Sequence, residues 1–152
     1  MESKNHNSRI REILSDYLEK NNLRKTVERF AILDEIYSKP TGHFDIESLY
    51  VSMKNKNYRV SRATLYNSMD ILIDAGLVSR HQFGKNLGIY EKVFERSQHD
   101  HLICSNCGKV TEFCDPRIIE IENSVSKSNN FKISHHSLYF YGICSDCQIT
   151  KI

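Results

Sequence analysis

Cys104-Ser-Asn-Cys107 and Cys144-Ser-Asp-Cys147 are two cysteine pairs, each at the spacing that lets one tight turn present two thiolates to the same side. Two such turns complete a tetrahedron of sulfur, the geometry of a structural zinc ion, and the glycine after Cys107 frees the backbone where amides turn toward sulfur. The stretch 108–143 between the pairs exceeds the usual separation of about 15–20 residues and has room for a helix. With no fifth protein donor the site is closed; a catalytic zinc keeps a position for water. The rival reading is a thiol-redox protein working through its CxxC pairs. That chemistry needs a CxxC opening a helix within a βαβ pattern, and a nucleophile–base pair, and the sequence offers neither. Cys114 is left over and reads as a small, half-buried residue at a strand end.

A second constellation combines imidazoles with carboxylates: Tyr90-Glu91, His99-Asp100-His101 just before the first CxxC, and Glu112 just after it. In an extended strand, side chains two apart share a face, so His99 and His101 point together and Asp100 points away. Imidazole and carboxylate together suit divalent iron, zinc, manganese or cobalt, with geometry and supply choosing among them. A His-x-His pair taken alone is more often two solvent-facing residues than a metal ligand, and the flanking cysteine pairs and carboxylates are what favour the metal here. His6, His81 and His135 read as surface histidines.

The elements that must position these groups follow from periodicity. Ile10, Ile13, Leu14, Tyr17 and Leu18 mark one amphipathic helix. Thr26 caps a second that carries Val27, Phe30, Ala31, Leu33 and Ile36 and ends near Lys39-Pro40. Asp45 caps a third with Ile46, Leu49, Tyr50 and Met53 inward. Ser61 caps a fourth with Leu65, Met69 and Leu72 inward, stopped by Gly76. Residues 77–83 and 89–94 read as strands joined by the glycine-bounded loop 84–88. Helices followed by such a hairpin fit a winged helix, whose helix before the wing enters the DNA major groove; a plain small helical domain fits the same pattern.

From His99 onward, strand-like runs at Leu102-Ile103, Val110 to Phe113, Phe131 to Ile133 and Leu138 to Ile143 surround a helix at Pro116 to Ser128, a second small α+β domain. We therefore expect an α+β protein with a winged-helix DNA-binding domain at 1–94, a hinge at 95–98 and a metal-binding domain at 99–152. Residues 1–93 carry 15 Lys and Arg against 12 Asp and Glu, and residues 94–152 carry 6 against 7, so the basic excess lies in the half expected to meet phosphate. No apolar run reaches the roughly 18 residues that span a bilayer, and the polar start lacks a signal-peptide stretch, which predicts a cytoplasmic protein. In that reducing compartment, cysteines serve metals more than lasting disulfides.

The runs Leu23-Arg24-Lys25-Thr26 with Arg29, Gly42-His43, Ala63-Thr64-Leu65-Tyr66, Ala75-Gly76-Leu77-Val78, His99 to Val110, and His136 to Cys144 together resemble the ferric uptake regulators, a family of metal-dependent repressors. The resemblance spans residues 10–147, and the HDHLICxxCGKV run is its most specific part. It implies a homodimer, or a tetramer built from it, with winged helices on double-stranded DNA and second domains paired through their sheets. It implies Zn2+ as the structural ion on Cys104, Cys107, Cys144 and Cys147. The regulatory ion, Fe2+ with Zn2+ or Mn2+ in its place, would be held by His43, Glu91, His99, His101 and Glu112. Asp100 and His136 stand where a further site is placed, but Gln98 replaces a common histidine and the expected acid falls at Ile119, with Glu120 beside it. On the DNA face it implies Ser61, Arg62, Thr64, Tyr66 and Asn67, with Lys25, Arg29, Arg80 and Lys85 at the backbone. Asn67 stands where the family commonly has arginine; it can pair with adenine but cannot neutralise phosphate.

The expected function is a ferrous-iron-dependent repressor on palindromic operators. The alternatives are a zinc-, manganese- or peroxide-sensing member of the same family, a constitutive DNA-binding module with zinc for folding only, or the thiol-redox protein. The peroxide branch tends to carry Asp where Glu91 stands, which favours iron sensing.

Overall fold

The computed structural model describes residues 2–40, 42–83, 86–94 and 99–149. The expected hinge 95–98 and Lys85 lie outside the described residues. The chain divides into two compact units, Met1–Gln82 with Leu87–Arg96, and Phe83–Asn86 with Ser97–Ile152. Among the described residues no helix is long and apolar enough to cross a membrane.

The first unit holds helices α1 (Glu2–Lys20), α2 (Val27–Ser38), α3 (Ile46–Asn55) and α4 (Arg62–Asp74), with a sheet of β1 (His43–Phe44), β2 (Val78–Phe83) and β3 (Asn86–Lys92) in the order β1-β3-β2. Three of its helices start where a short oxygen-bearing side chain meets an orphan amide: Thr26, Asp45 and Ser61 accept from the backbone N–H of Arg29, Ser48 and Thr64. Gly76, at φ +73°, ends α4 by a left-handed turn in which Leu77 N–H donates to Leu72 C=O at 2.9 Å. Ile10, Leu14 and Leu18 of α1 pack with Ile32, Leu33, Ile36, Leu49, Met53, Leu65, Met69 and Leu72 in one core, joined by Phe44 and Tyr90 of the sheet.

Helix α2 is central, touching α1, α3 and α4, so its later turns are buried on nearly every side and Glu35 is buried with them. Its first turn lies beyond that packing. Val27, expected inward, is accordingly 76% exposed. The buried Glu35 carboxylate accepts from Ser52 Oγ and Lys56 Nζ of α3 and its end, with Lys39 Nζ at 4.0 Å. Burial pushes the carboxyl up, but the bonds from Lys56 and Ser52 and the charges of Lys56 and Lys39 outweigh it and hold it below its ordinary range. Tyr37 Oη donates to Leu77 C=O at 2.7 Å and accepts from Phe94 N–H at 3.3 Å, fastening α2 to both ends of the hairpin. The hairpin loop is shorter than the expected 84–88, because β3 begins at Asn86 and takes Gly88 inside it at φ +86°.

The second unit holds β4 (Asp100–Cys104), β5 (Val110–Phe113), α5 (Pro116–Ser128), β6 (Tyr139–Gly142) and α6 (Ser145–Ile149). Central β4 pairs antiparallel with β5 and parallel with β6. The expected strand at Phe131 to Ile133 is absent: after the left-handed Asn130, Phe131 N–H is taken by Ser126 C=O at the end of α5 and is not offered to a ladder. Among the described residues, few apolar side chains are buried in this unit. Helix α5 buries none, while Phe140 is 51% and Tyr141 54% exposed on the sheet.

Candidate metal centres

The first CxxC is a turn at the end of β4. Cys104 N–H donates to Lys109 C=O and Gly108 N–H to Cys104 C=O, both at 2.9 Å, with Gly108 at φ +76° as its role in the turn requires. The second pair flanks the start of α6. The four Sγ atoms lie within 4.8 Å of one another, and Cys107 and Cys144 are 3.7 Å apart. Four sulfurs bound at about 2.3 Å in a tetrahedron stand about 3.8 Å from each other, so the donor set fits zinc.

Its electrostatics carry the same message. The backbone amide of Cys144, at 3.4 Å, and that of Cys107 draw the Cys104 thiol down to about 6. The Cys147 thiol is lowered by Asn106, but bonding to Cys144 and Cys107 and burial prevail and push it up to about 12. Four thiols crowded together resist joint ionisation, and a divalent cation removes that conflict. Contrary to the sequence reading, one CxxC does open a helix, since Cys144 precedes α6. The thiol made acidic is nevertheless Cys104, at the end of a strand. Cys114 is exposed, not half-buried.

The imidazole and carboxylate donors are found in each unit. In the first unit Glu91, on the middle strand, is flanked from both sides: β1 registers His43 opposite Glu91, with His43 Nε2 3.5 Å from Glu91 Oε2, and His81 of β2 puts its Nε2 2.8 Å from the same oxygen. In the second unit strand alternation acts as expected. His101 stands in register with Glu112, the His99 and His101 rings are 5.0 Å apart, and His99 Nε2 is 3.9 Å from Glu112 Oε1. Nitrogen and oxygen donors sharing an ion at about 2.1 Å stand about 3.0–3.4 Å apart, so each set needs only small side-chain adjustments to hold a divalent ion.

Asp100 meets His136, as the sequence suggested, with Nε2 2.9 Å from Oδ1. The acid on the far side is Glu122, 3.2 Å from His136 Nδ1, and not Glu120. Two residues of helix turn the direction by about 200°, so the exposed Glu120 projects away from Glu122. In this arrangement the two carboxylates are bonded to different nitrogens of one ring, and the trio forms a hydrogen-bonded brace from α5 to β4. Burial lowers the His136 pKa, but the bonds to Glu122 and Asp100 prevail and it lies above its ordinary value.

On α4, Tyr66 and Asn67 are exposed. Ser61 and Thr64 are joined in the cap, their hydroxyls 2.9 Å apart. Arg62 is engaged by Glu47 at 2.9 and 2.5 Å and lies 4.1 Å over the Tyr50 ring. Lys25 pairs with Glu19 at 2.9 Å, and Arg29 donates to Arg24 C=O.

The model of the ferric uptake regulator family matches residues 20–141. The chain belongs to the ferric uptake regulator family. It is thus a metal-responsive transcriptional regulator of that family, built on the winged-helix α+β fold. It is 34% identical over 131 residues to the ferric uptake regulation protein of Neisseria meningitidis, covering 86% of this chain and 90% of that one. The Helicobacter pylori ferric uptake regulator, whose structure is described as having three functional metal binding sites, superimposes with a TM-score of 0.79 at 29% identity, over 93% of each chain. The Vibrio cholerae regulator superimposes with a TM-score of 0.68 at 34% identity, over 84% of this chain and 96% of that one. What sequence reasoning missed in this family member is the β1 pairing that aims His43, the place of His81 beside Glu91, and Glu122. For His81 a signal was present: it lies in the strand whose hairpin partner carries Glu91.

Proposed function

We propose that this regulator is a repressor that binds a palindromic operator as a homodimer when ferrous iron is held jointly by His43 and Glu91 of the first unit and His99, His101 and Glu112 of the second, with zinc on the four cysteines. The observation that carries this reading is the division of the donors. Glu91 and His43 sit on the wing sheet of the unit that contains α4, the helix expected in the major groove, while His101 and Glu112 sit on the β5-β4-β6 sheet of the other unit and His99 just before it. When bound, the ion supplies one positive centre that both donor sets prefer to their own separate solvation. Donors on two units then favour the arrangement in which both face that centre, and DNA affinity changes because that arrangement differs in affinity for the operator. Coupling of this kind is worth about 1–3 kcal/mol, a change of about 5- to 150-fold. Glu91, in place of Asp, supports iron over peroxide sensing. The exposed apolar side chains of α5 and β6, with so little core beneath them, support pairing with a second copy.

The test is titration of an operator duplex, selected from random sequence, with each of Fe2+, Mn2+, Co2+ and Zn2+. Binding should tighten with Fe2+ at the lowest free concentration found in cells, and His99→Ala should lose that response while keeping its zinc. Operator affinity indifferent to all four ions would reduce the protein to a constitutive DNA-binding module. Oxidised His43 or His99 after peroxide treatment of the iron form would reassign it to the peroxide branch.

A further inference from the structure

We propose that His81 is a positioning residue of the regulatory metal site, holding the Glu91 carboxylate in the orientation in which it can bind an ion beside His43. This rests on the reading of Glu91 as a metal ligand. The sheet order β1-β3-β2 sets Glu91 between two histidines, and both approach the same oxygen, Oε2, but at different distances: 3.5 Å from His43 and 2.8 Å from His81. The closer contact has the length of a hydrogen bond. An ionised carboxylate only accepts, so His81 Nε2 carries the proton and, while that bond stands, has no lone pair for a metal. His43, farther away, keeps the spacing of a fellow ligand. The two roles are thus separated by geometry on one sheet.

Ser79 completes the arrangement. Its hydroxyl donates to Glu91 C=O at 3.4 Å and lies 3.2 Å from His81 Nε2, where a lone pair can share the imidazole proton. The side chains are enclosed, with His81 12% and Glu91 6% exposed, so water competes poorly for Oε2. The terminal torsion of a glutamate is broad when nothing holds it. Fixing it before binding removes an ordering cost from the metal affinity, and outer partners of metal ligands of this kind are worth about 10- to 100-fold in affinity.

The test is a Mn2+ titration, followed by electron paramagnetic resonance, of the full chain with its zinc retained, comparing wild type, His81→Leu, His81→Gln and Glu91→Ala. His81→Leu removes the donor and should raise the Mn2+ Kd about 10- to 100-fold, whereas His81→Gln, whose amide still donates, should stay within about threefold of wild type. Zinc content and the metal-free melting curve should not move, and the visible spectrum of the Co2+ form of His81→Leu should change as the carboxylate reorients. If leucine impairs folding, His81→Asn, with a shorter amide, takes its place and should bind as weakly. Wild-type affinity in His81→Leu or His81→Asn, with binding lost in Glu91→Ala, would remove His81 from the site and leave the regulatory site standing. Undiminished binding in Glu91→Ala would overturn that reading, and this inference with it.

Discussion

Replacing Glu35 with glutamine should cost the helical unit about 2 kcal/mol at neutral pH, the worth of one hydrogen bond made to a charged group. Glu35 is 5% exposed in the central helix, and its two oxygens accept from Ser52 and Lys56 of the neighbouring element. Glutamine fits the same space but turns one acceptor into a donor, which then confronts either the serine hydroxyl or the ammonium group. The Lys56 side chain is 54% exposed, so water can still solvate its charge and the loss stays below that of breaking a fully enclosed ion pair. In a unit of under 100 residues each kcal/mol moves Tm by about 4–8 °C, so the transition should fall by roughly 8–16 °C. The sign with pH is fixed by the depressed Glu35 pKa. The stabilisation is fully present above the unfolded glutamate value of about 4.3 and is lost as pH falls through the lower folded value. Urea unfolding of both proteins at pH 7 and at steps down to pH 3 should therefore show a gap that narrows below about pH 4. A gap that is the same at every pH, or smaller than about 0.5 kcal/mol at pH 7, would refute the role assigned to this carboxylate.

Cys104→Ser should lower bound zinc from one ion per chain toward none and unfold the second unit first. A structural zinc contributes about 10–16 kcal/mol of apparent binding free energy to a small domain, and metal analysis with hydrogen exchange would show whether a zinc-free second unit stays protected. Phe140→Glu, placing a charge among the exposed apolar side chains of the β5-β4-β6 sheet, should turn the expected dimer into monomers in sedimentation, with the first unit's melting unchanged; a persistent dimer would move the interface elsewhere.

Local chemistry made much of this fold legible. Thr26, Asp45, Ser61 and Pro116 announce helix starts, and Gly76 a stop, because caps and left-handed turns are decided within four residues of chain. The cysteine pairs and the His99–His101 alternation were readable for the same reason. What escaped depends on partners distant in sequence. Glu35 looks by type like a surface residue and is buried only because Ser52 and Lys56 arrive from α3. Strand β1 has two residues and no periodicity of its own; it exists through β3. Choosing Glu122 over Glu120 requires knowing which way α5 is turned, and its apolar side chains do not reveal that, because Ile119, Ile121 and Val125 are exposed and do not mark an inward face.

The brevity of β1 has a consequence for genetics. His43 and Phe44 are adjacent on a strand, so one faces the metal donors while the other is buried, its ring stacked on Tyr90 at 5.8 Å. The proposed sensor ligand and a core residue therefore share a single peptide unit, and neither can shift without the other. Substitutions at Phe44 or Tyr90 that leave the protein folded should surface in a screen for lost repression as if they were defects in metal sensing, although neither residue belongs to the proposed donor set.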